Sequence, residues 1–433
     1  VLDDDPTGVQ TVHEVAVLTT WSPEVIEREL HSPSPVFFIL TNSRSRSGPD
    51  AVALNRAVAA SVLAASRAED KDIVFMSRSD STLRGHFPEE TNVLASALDG
   101  VDGVIFCPAF IEGGRITIDA THYVRDEDGL TPVGETEFAQ DATFGFESSF
   151  LPKWIEERSG GRMKAEEVMT ISLADIRLGG PAHIASLLED VTGGQVVVFD
   201  AVTYRDIEVA CLGILRSEAQ GKRFVYRCGA SLVRVRAGID ERPLLSRVEM
   251  FGAGAPERAR GLVIVGSHVR RTSDQLERLL AAPSTTGVEV RVPDLLRSDA
   301  ARRAAVAAAR AGVEHALRQG VTPVVFTSRE VVSAADQPQL EIGIVVSGAL
   351  IDSVRNLQER PDFFVAKGGI TSSDIGTEAL GVRRAIVIGQ AKAGVPVWRL
   401  GPETRYEGVP YVVFPGNVGE STTLASLVTE MIG

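Results

Sequence analysis

Short runs of apolar and β-branched residues alternate with longer amphipathic stretches along most of the chain. Each apolar run has the length of a buried strand, and the stretches between them have helical spacing. Apolar runs without polar alternation are typical of a sheet that is covered on both faces. The pattern therefore predicts parallel α/β layers. The predicted strands are 15–18, 36–40, 73–76, 103–106, 195–199, 224–226, 261–266, 288–292, 323–327, 363–366 and 384–389, and the predicted helices are 50–67, 89–97, 181–189, 206–219 and 297–318.

The length of the chain and one irregular stretch predict two domains. A chain of 433 residues exceeds the ~250–300 residues at which a single hydrophobic core stops growing. Residues 241–260 mix prolines, glycines and charges and lead directly into an apolar run, as expected for a domain boundary. We therefore predict domains over residues 1–245 and 257–433. Residues 127–163 carry several phenylalanines without a clear period, and we interpret them as a packed insertion, with a lid over a site as the alternative.

Composition and charge narrow the classes of function. Hydrophobic residues make up 44% and charged residues 24% of the chain, as in soluble globular proteins. The net charge of -14 argues against nucleic acid as the main partner, because binding a phosphate backbone needs a basic surface. No apolar run approaches the ~18 residues of a membrane helix, and the three scattered cysteines form neither a disulfide framework nor a metal motif. We therefore expect a cytoplasmic protein that has no membrane partner.

Three consecutive carboxylates, Asp3 to Asp5, stand at the start of the chain. The two residues before them resemble the end of a strand, so we expect the natural chain to extend upstream and leave open whether a signal precedes it. In α/β proteins, ligands bind outside the carboxyl ends of strands. A carboxylate there can accept the proton of an attacking hydroxyl or help to hold a hydrated metal, and Thr7-Gly8 would turn the chain sharply. The alternative is a solvated acidic loop or a helix cap.

A second polar segment follows the predicted strand 73–76. Residues 77–86 are rich in hydroxyl groups and include two arginines and a glycine. The planar fork of arginine matches a carboxylate, so the segment suits an anionic, polyhydroxylated ligand. The alternative is a polar loop in which Asp80 and Arg84 pair with each other.

Two further strand ends in the first half are followed by an arginine. Arg44 follows the predicted strand 36–40, and Arg115 comes after Gly113-Gly114, beyond the strand 103–106. The glycine pair would permit a close approach of the ligand, which makes Arg115 a candidate for anion binding, with a simple turn as the alternative. The convergence of four polar strand ends is stronger evidence for a site than any one of them.

The second half of the chain has glycines and hydroxyl groups at predicted helix starts. Free N–H groups and the helix dipole favour an anion there, so these segments suit the phosphates of a nucleotide. None of them matches GxxxxGK(S/T) or GxGxxG, and the alternative for each is a helix cap or a tight turn. The candidate residues are Ser267, His268, Thr272, Lys367, Gly368, Gly369, Thr371, Gly416, Asn417 and Gly419.

Taken in order, these segments resemble a known family. The strings DDDPTG, SRSDSTLRG, CPAFIEGGR, GSHVRRTSDQ, KGGITSSD and PGNVG are similar, over nearly the whole chain, to the four-carbon acid sugar kinases, a subgroup of which is sometimes labelled type III effector or Hrp-dependent outer protein. The resemblance implies two α/β domains, each with a mainly parallel sheet flanked by helices, and an active-site cleft between them. It implies an N-terminal sugar-acid domain and a C-terminal nucleotide domain. The implied reaction transfers the γ-phosphate of ATP, with Mg²⁺, to a threonate-, erythronate- or oxo-tetronate-like acid.

The resemblance also assigns roles by position. Asp4 and Asp5 fall where the family has its paired strand-end aspartates, and we expect one of them to act as the catalytic base. The expected substrate-binding residues are Thr7, Gly8, Arg44, Asp80, Ser81, Arg84 and Arg115. The nucleotide would contact the candidate residues of the second half, and the metal ligands stay unknown.

Four positions at the expected site depart from the family pattern, namely Pro6, Thr11, His86 and Val418. They suggest a subgroup with a different substrate, and they keep open a ligand-binding or effector protein that retains the fold without catalysis. A third class, an aldolase or dehydratase, would need a Schiff-base lysine or a metal cluster, and Lys367 is the only lysine within a motif. The sequence leaves open which acid and which hydroxyl react, and whether the chain forms a homo-oligomer.

Overall fold

The computed structural model describes residues 1–126, 129–267, 269–329 and 339–433. The chain divides into two compact units, Val1–Glu241 and Arg242–Gly433. Each unit contains a sheet of mainly parallel strands with helices between them, which confirms the predicted α/β class. The cleft expected between the two domains stays a prediction.

The first unit alternates strands and helices along most of its length. Its strands are β1 (Leu2–Asp3), β2 (Val15–Leu18), β3 (Phe37–Leu40), β4 (Met76–Arg78), β5 (Gly103–Cys107), β6 (Arg115–Ile118), β7 (Thr121–Asp126), β8 (Gly129–Pro132), β9 (Met169–Ile171), β10 (Gln195–Phe199) and β11 (Phe224–Cys228). Its helices are α1 (Pro23–Leu30), α2 (Gly48–Ala68), α3 (Glu89–Ala97), α4 (Leu151–Arg158), α5 (Gly180–Glu189), α6 (Tyr204–Ala219) and α7 (Ala230–Arg236).

Eight strands of the first unit form a sheet in the order β2-β3-β1-β4-β11-β5-β10-β9. Each of these pairings is parallel, as expected when helices connect successive strands. The short strand β1 lies between β3 and β4, where Leu2 pairs with Ile39 and Ser77. The carboxyl ends of β1, β3, β4 and β11 therefore meet at one end of the sheet.

Two apolar clusters contribute to the core of the first unit. One of them packs Leu2 and Ile39 against Val58 of α2. The other centres on Trp154 of α4, whose ring lies 5.5 Å from that of Phe106 on β5. Burying a side chain of this size contributes about 1.5–3 kcal/mol. The second cluster therefore fixes α4 and the small antiparallel sheet β6-β7-β8 onto the unit, as expected for a packed insertion.

The second unit has a sheet in the order β13-β14-β12-β15-β18-β17-β16. The pairings from β13 to β18 are parallel, whereas β17 is antiparallel to both β18 and β16. The strands are β12 (Gly261–Val265), β13 (Thr285–Val290), β14 (Thr322–Thr327), β15 (Phe363–Lys367), β16 (Arg384–Lys392), β17 (Val395–Leu400) and β18 (Pro410–Phe414). The helices are α8 (Arg247–Phe251), α9 (Arg270–Leu280), α10 (Val292–Arg297), α11 (Asp299–Arg318), α12 (Gln339–Val354), α13 (Gly369–Asp374) and α14 (Thr423–Ile432).

Two predicted strands are wrong in their positions. The strand predicted at 73–76 is β4 at 76–78, because its partner β1 begins at Leu2, which pairs with Ser77. The strand predicted at 288–292 ends at Val290, since Val292 begins α10 with a proline in its first turn, where proline is tolerated. The long helix predicted at 297–318 is confirmed as α11, which begins at Asp299 because the extended Ser298 caps it through the N–H of Ala301 at 3.2 Å.

The described residues include no helix that is long and apolar enough to cross a membrane. Cys107, Cys211 and Cys228 are all buried and free of disulfide bonds. Cys107 and Cys228 lie opposite each other on the adjacent strands β5 and β11.

Candidate functional site

The candidate site of the first unit lies where β1, β3 and β4 end. β1 is followed by Asp4 and Asp5, β3 is followed by Arg44, and β4 ends at Arg78. Because the strands are parallel and adjacent, these ends lie on the side of the sheet where α/β proteins bind ligands. The order of the strands thus brings acidic and basic side chains together.

Arg78 lies against two buried carboxyl groups. Its Nη1 is 3.2 Å from Oδ1 of Asp3 and 3.4 Å from Oδ1 of Asp4, and all three side chains are buried. Burial disfavours the charged form of Asp3 and raises its pKa to about 8 in spite of Arg78. Burial also raises the pKa of Asp4, although Arg44 and Arg78 act against it. Asp4 therefore binds a proton more tightly than an ordinary aspartate does.

Asp5 has a different environment. Its Oδ1 accepts hydrogen bonds from the backbone N–H of Thr7 at 2.9 Å and from the Thr7 hydroxyl at 2.5 Å, and its Oδ2 accepts one from Nη2 of Arg44. Burial acts to raise the pKa of Asp5, but Arg44 and Thr7 outweigh it, so the pKa is lowered. Asp5 is therefore an ionised anchor for Arg44 and for the turn Pro6–Val9, which it caps.

Asp80 joins two arginines. Nε of Arg84 is 2.7 Å from Oδ2 of Asp80, and Nη1 of Arg44 is 3.5 Å from Oδ1. The Thr82 hydroxyl also donates to Oδ2. Burial acts to raise the pKa of Asp80, but Arg84 and Arg44 hold it far below its usual range. The Arg44 and Arg84 side chains remain 20% and 22% exposed, so neither is fully closed off from solvent.

Arg115 and Ser81 lie beside this cluster. The guanidinium carbons of Arg84 and Arg115 are 5.2 and 5.8 Å from the ring centroid of Phe138. The carbonyl oxygen of Ser81 is 2.8 Å from Nε2 of the buried His122, whose pKa burial lowers to about 4. The structure therefore joins Arg44, Asp80 and Arg84 directly, and brings Arg115 to them across the Phe138 ring.

Gly8 and the three departures in the first unit have structural roles. A Cβ on Gly8 would lie 2.0 Å from Oδ1 of Asp3, so a larger residue would displace that carboxyl. Pro6 begins the turn that Asp5 caps. The Thr11 hydroxyl donates to the carbonyl of Ala230 at 2.9 Å. Nε2 of His86 is 3.1 Å from the carbonyl oxygens of both Ser43 and Arg46. These contacts hold the loops that follow β1 and β3.

Four buried charged residues of this site are not among the site residues expected from the sequence, namely Asp3, Arg78, Glu90 and Arg227. Oε1 of Glu90 accepts hydrogen bonds from the Ser43 hydroxyl at 2.5 Å and from Asn55 at 3.3 Å. Burial raises the pKa of Glu90 to about 7. Arg227 donates to the carbonyl of Arg84 at 3.3 Å. For Arg227, the sequence does contain a signal: it is a single charge inside the apolar strand β11. A buried charge needs a compensating partner, so such a residue indicates a site.

The candidate site of the second unit includes the last residue of β15. Lys367 is fully buried, and its Nζ donates to the carbonyls of Pro415 at 2.5 Å and Gly416 at 3.2 Å. Nζ also lies 4.2 Å from the ring centroid of Phe414. Burial, with a smaller effect from Arg271, lowers the pKa of Lys367 to about 7. The ammonium group therefore ties the late glycine turn to β15, and its contact with phosphate stays a prediction.

The loops after β12, β15 and β18 converge around Ser267. Gly368 has φ +114°, and a Cβ on it would lie 3.1 Å from Cβ of Ser267 and 3.4 Å from Oγ1 of Thr371. A Cβ on Gly416 would lie 3.2 Å from the Ser267 hydroxyl. Glycine at these two positions thus permits the loops to approach each other closely.

Helix α9 closes one side of this site. The Thr272 hydroxyl donates to the carbonyl of Gly416 at 3.0 Å and lies 3.2 Å from the hydroxyl of Ser267. Nη1 of Arg271 donates to the carbonyl of Asn417 at 3.2 Å. The structure therefore joins Ser267, Thr272 and the late glycine turn in one hydrogen-bonded group.

The remaining predicted residues of the second unit have varied positions. Gly369 begins α13, and Gly419 has φ +80°. His268 lies outside the described residues. Arg329, which the sequence does not single out, donates to the carbonyl of Ser267 at 2.8 Å and to the hydroxyl of Ser273 at 2.6 Å. It adds a cationic group to this site.

Within the ranges that the structure describes, no three or more His, Cys, Asp or Glu side chains are grouped so that they could hold a metal ion. In the first unit, each carboxylate of the cluster faces an arginine. The residues that would hold a metal ion stay unknown.

The sequence matches two protein families. Residues 1–236 match the family of sugar-binding N-terminal domains, and residues 262–424 match the family of nucleotide-binding C-terminal domains. A curated relative is the D-erythronate kinase of Heliobacterium modesticaldum, which is 26% identical over 231 residues. That alignment covers 52% of this chain and 47% of the kinase, so the chain spans about half the length of this relative.

Two solved structures share the fold. A Salmonella typhimurium LT2 protein that has been proposed to be a tRNA synthase superposes with a TM-score of 0.71 at 19% identity, covering 100% of this chain and 98% of that one. A Haemophilus influenzae protein superposes with a TM-score of 0.63 at 18% identity, covering 100% and 99% of the two chains. At these identities the likeness concerns the fold alone.

Proposed function

Because the chain belongs to the four-carbon acid sugar kinase family, we propose that it transfers the γ-phosphoryl group of ATP to a hydroxyl of a small sugar acid. The observation that carries this proposal is the linked group of Arg44, Asp80 and Arg84 beside Asp4 and Asp5. It combines cationic groups for an acid with a carboxyl suited to accept a proton. The D-erythronate kinase relative supports a four-carbon acid as the substrate.

The exposed parts of Arg44 and Arg84 would bind the carboxylate of the acid. A guanidinium group binds a carboxylate through two parallel hydrogen bonds. Asp80 keeps both arginines in a fixed arrangement before the acid arrives. Arg115, which shares the Phe138 ring with Arg84, would add a further cationic group.

Of the two predicted bases, Asp4 is the better candidate. A general base works best when its pKa is close to the working pH. Burial raises the pKa of Asp4, whereas Arg44 and Thr7 lower that of Asp5. Asp4 would therefore accept the proton of the attacking hydroxyl, and Asp5 would hold Arg44 in position.

The glycine-rich loops of the second unit would bind the nucleotide. Ser267, Thr272 and Thr371 provide hydroxyl groups around Gly368 and Gly416, and Arg271 and Arg329 provide positive charge. Mg²⁺ would enter with ATP as the MgATP substrate. That ion keeps several waters and binds phosphates with one or two carboxylates, so it needs no larger group of protein ligands.

A coupled ADP-release assay tests the proposal. The full chain is assayed with ATP and Mg²⁺ against erythronate, threonate and 2-oxo-tetronate. Arg84→Ala is assayed beside it, with Arg205→Ala as the matched control because the Arg205 side chain is 83% exposed and pairs with Glu208. Turnover of one acid that Arg84→Ala loses and Arg205→Ala retains supports the proposal.

Two other outcomes would change the proposal. If ATP binds but no acid is turned over, the substrate class is wrong. If neither ATP nor any acid binds, the kinase function is rejected in favour of a protein that retains the fold without catalysis.

A further inference from the structure

We propose that Phe138 and Asp141 are positioning residues for Arg84 and thereby determine how tightly the protein binds its acid, an inference that rests on the kinase function proposed above. Both residues lie between β8 and α4, in the insertion of the first unit. Neither belongs to the site residues predicted from the sequence. They contact Arg84 from a part of the chain remote from the loop that carries it.

Arg84 is held on three sides. Its Nε is 2.7 Å from Oδ2 of Asp80, its Nη1 is 3.6 Å from Oδ2 of Asp141, and its guanidinium carbon is 5.2 Å from the ring centroid of Phe138. These contacts occupy one face of the group and two of its nitrogens. At 3.6 Å, Nη1 forms an ion pair with Asp141 and not a hydrogen bond, and Nη2 forms no hydrogen bond to any residue that the structure describes. A guanidinium group fixed in this way offers one defined edge to a carboxylate.

Phe138 and Asp141 are themselves held in place by other residues. Oδ1 of Asp141 accepts hydrogen bonds from the backbone N–H groups of Thr143 at 2.9 Å and Phe144 at 3.0 Å. Phe138 packs against the apolar cluster that contains Trp154. Since neither side chain can move without breaking these contacts, Phe138 and Asp141 have defined positions around Arg84 before a ligand binds.

The loop that carries Arg84 needs support from outside. Leu83 has φ +69°, a left-handed conformation that is strained for a residue with a side chain of this kind. Leu83 is fully buried in the cluster against which Phe138 packs. On the other side, His122 of β7 binds the carbonyl of Ser81 at 2.8 Å. Strand β7 and the insertion therefore hold the loop at Ser81, Leu83 and Arg84.

Loss of the Phe138 ring would release one face of the Arg84 guanidinium. A cation over an aromatic ring within ~6 Å contributes enough to change an affinity roughly 3- to 30-fold. We expect Phe138→Leu to raise the KM for the acid by such a factor, with little change in kcat, because Asp4 is untouched. Phe138→Tyr retains the ring and should restore the KM. Nucleotide affinity should not change.

The test has two readouts that do not depend on catalysis, and the first of them needs no ligand. The Nε–H resonance of Arg84, assigned by its loss in Arg84→Lys, is recorded in the wild type, Phe138→Leu, Phe138→Tyr and Asp141→Asn. Phe150→Leu is the matched control, since Phe150 lies in the same insertion and is 42% exposed. Calorimetry measures the binding of erythronate, threonate and ADP to each protein.

The expected result is a sharp Arg84 resonance in the wild type, Phe138→Tyr and Phe150→Leu, and a broadened one in Phe138→Leu and Asp141→Asn, with weaker acid binding in the last two. An unchanged resonance and unchanged acid affinity in Phe138→Leu would overturn the inference. If the wild type binds no acid, the proposed function fails, but the resonances still decide whether Phe138 and Asp141 position Arg84.

Discussion

Oδ2 of Asp80 accepts a hydrogen bond from Nε of Arg84 at 2.7 Å, within one loop. The sequence allows two interpretations of this loop, an internal ion pair or an anion-binding segment. The structure makes the pair and leaves the Arg84 side chain 22% exposed, so the two interpretations are compatible. Because the pair engages Nε, it orients the guanidinium group and does not block it.

The two candidate bases should differ in their effect on catalysis. We expect Asp4→Asn to lower kcat by about 10²–10⁴-fold, the contribution of a general base, with little effect on ADP binding. Asp5→Asn should mainly raise the KM for the acid, because Arg44 would lose the carboxylate that accepts its hydrogen bond. ADP-release kinetics measure both values. A larger fall in kcat for Asp5→Asn than for Asp4→Asn would reverse the assignment of the base.

Arg44 should contribute to the stability of the first unit. Its loss would leave the buried carboxylate of Asp5 without its cation, and breaking a buried ion pair costs about 3 kcal/mol. For a unit of this size, that cost lowers the midpoint of thermal unfolding by roughly 6–12 °C. Circular dichroism of Arg44→Ala measures the shift, with the exposed Arg205→Ala as control.

A double variant identifies the cause of that loss. Asp5→Asn in the Arg44→Ala background removes the charge that Arg44→Ala leaves behind, so the double variant should unfold at a higher temperature than Arg44→Ala alone. If the two changes are simply additive, the ion pair does not explain the destabilisation.

Much of the fold follows from local patterns in the sequence. The strands at 15–18 and 195–199 and the helix at 89–97 lie where the apolar spacing predicts them. The position of β4 could not be predicted, because it depends on pairing with a two-residue strand at the start of the chain. The short helix α10 was not predicted, because its six residues are too few to show a helical period.

The candidate site could be predicted where it follows strand ends. The sequence predicts Arg44, Asp80 and Arg84 because they follow parallel strands, and ligands generally bind at the ends of such strands. Glu90 and Phe138 were not, since a helix and an insertion bring them to the site through tertiary packing. Their contribution depends on distances between remote parts of the chain, which spacing along the sequence does not encode.

The stability of the protein should depend on pH through Glu90. Burial raises the pKa of Glu90 to about 7 in the folded chain, against about 4.3 for an exposed glutamate. Between these two pKa values the folded chain holds a proton on Glu90 that the unfolded chain has released. The stabilisation that comes from this bound proton is therefore complete below about pH 4.3 and is lost as the pH rises through 7. Glu90→Gln is neutral throughout and retains an acceptor for Ser43.

Glu90→Gln should therefore become increasingly more stable than the wild type from pH 5 to pH 7. Above pH 7 the difference in the free energy of unfolding should level off, after a total change on the order of 2–4 kcal/mol. Urea denaturation at pH 5, 6, 7 and 8 measures it. Glu89→Gln, at the adjacent and more exposed position, should stay parallel to the wild type. If the free energy of unfolding of Glu90→Gln also stays parallel to that of the wild type over this pH range, Glu90 is ionised in the folded protein.

Gly368 should be required for nucleotide binding. At φ +114° an alanine would be strained, and its Cβ would lie 3.1 Å from Cβ of Ser267, so the loops after β12 and β15 would have to separate. We expect Gly368→Ala to weaken ADP binding at least roughly tenfold, which corresponds to about 1.4 kcal/mol. Calorimetry with ADP measures the affinity.

Gly320→Ala separates backbone strain from this steric effect. Gly320 also has a positive φ, +73°, but a Cβ on it would have no atom within 4 Å. That variant should lose about 1 kcal/mol of stability through strain alone and bind ADP as the wild type does. If Gly368→Ala also binds ADP normally, the loop after β15 does not contact the nucleotide, and the phosphates must bind to another loop of the second unit.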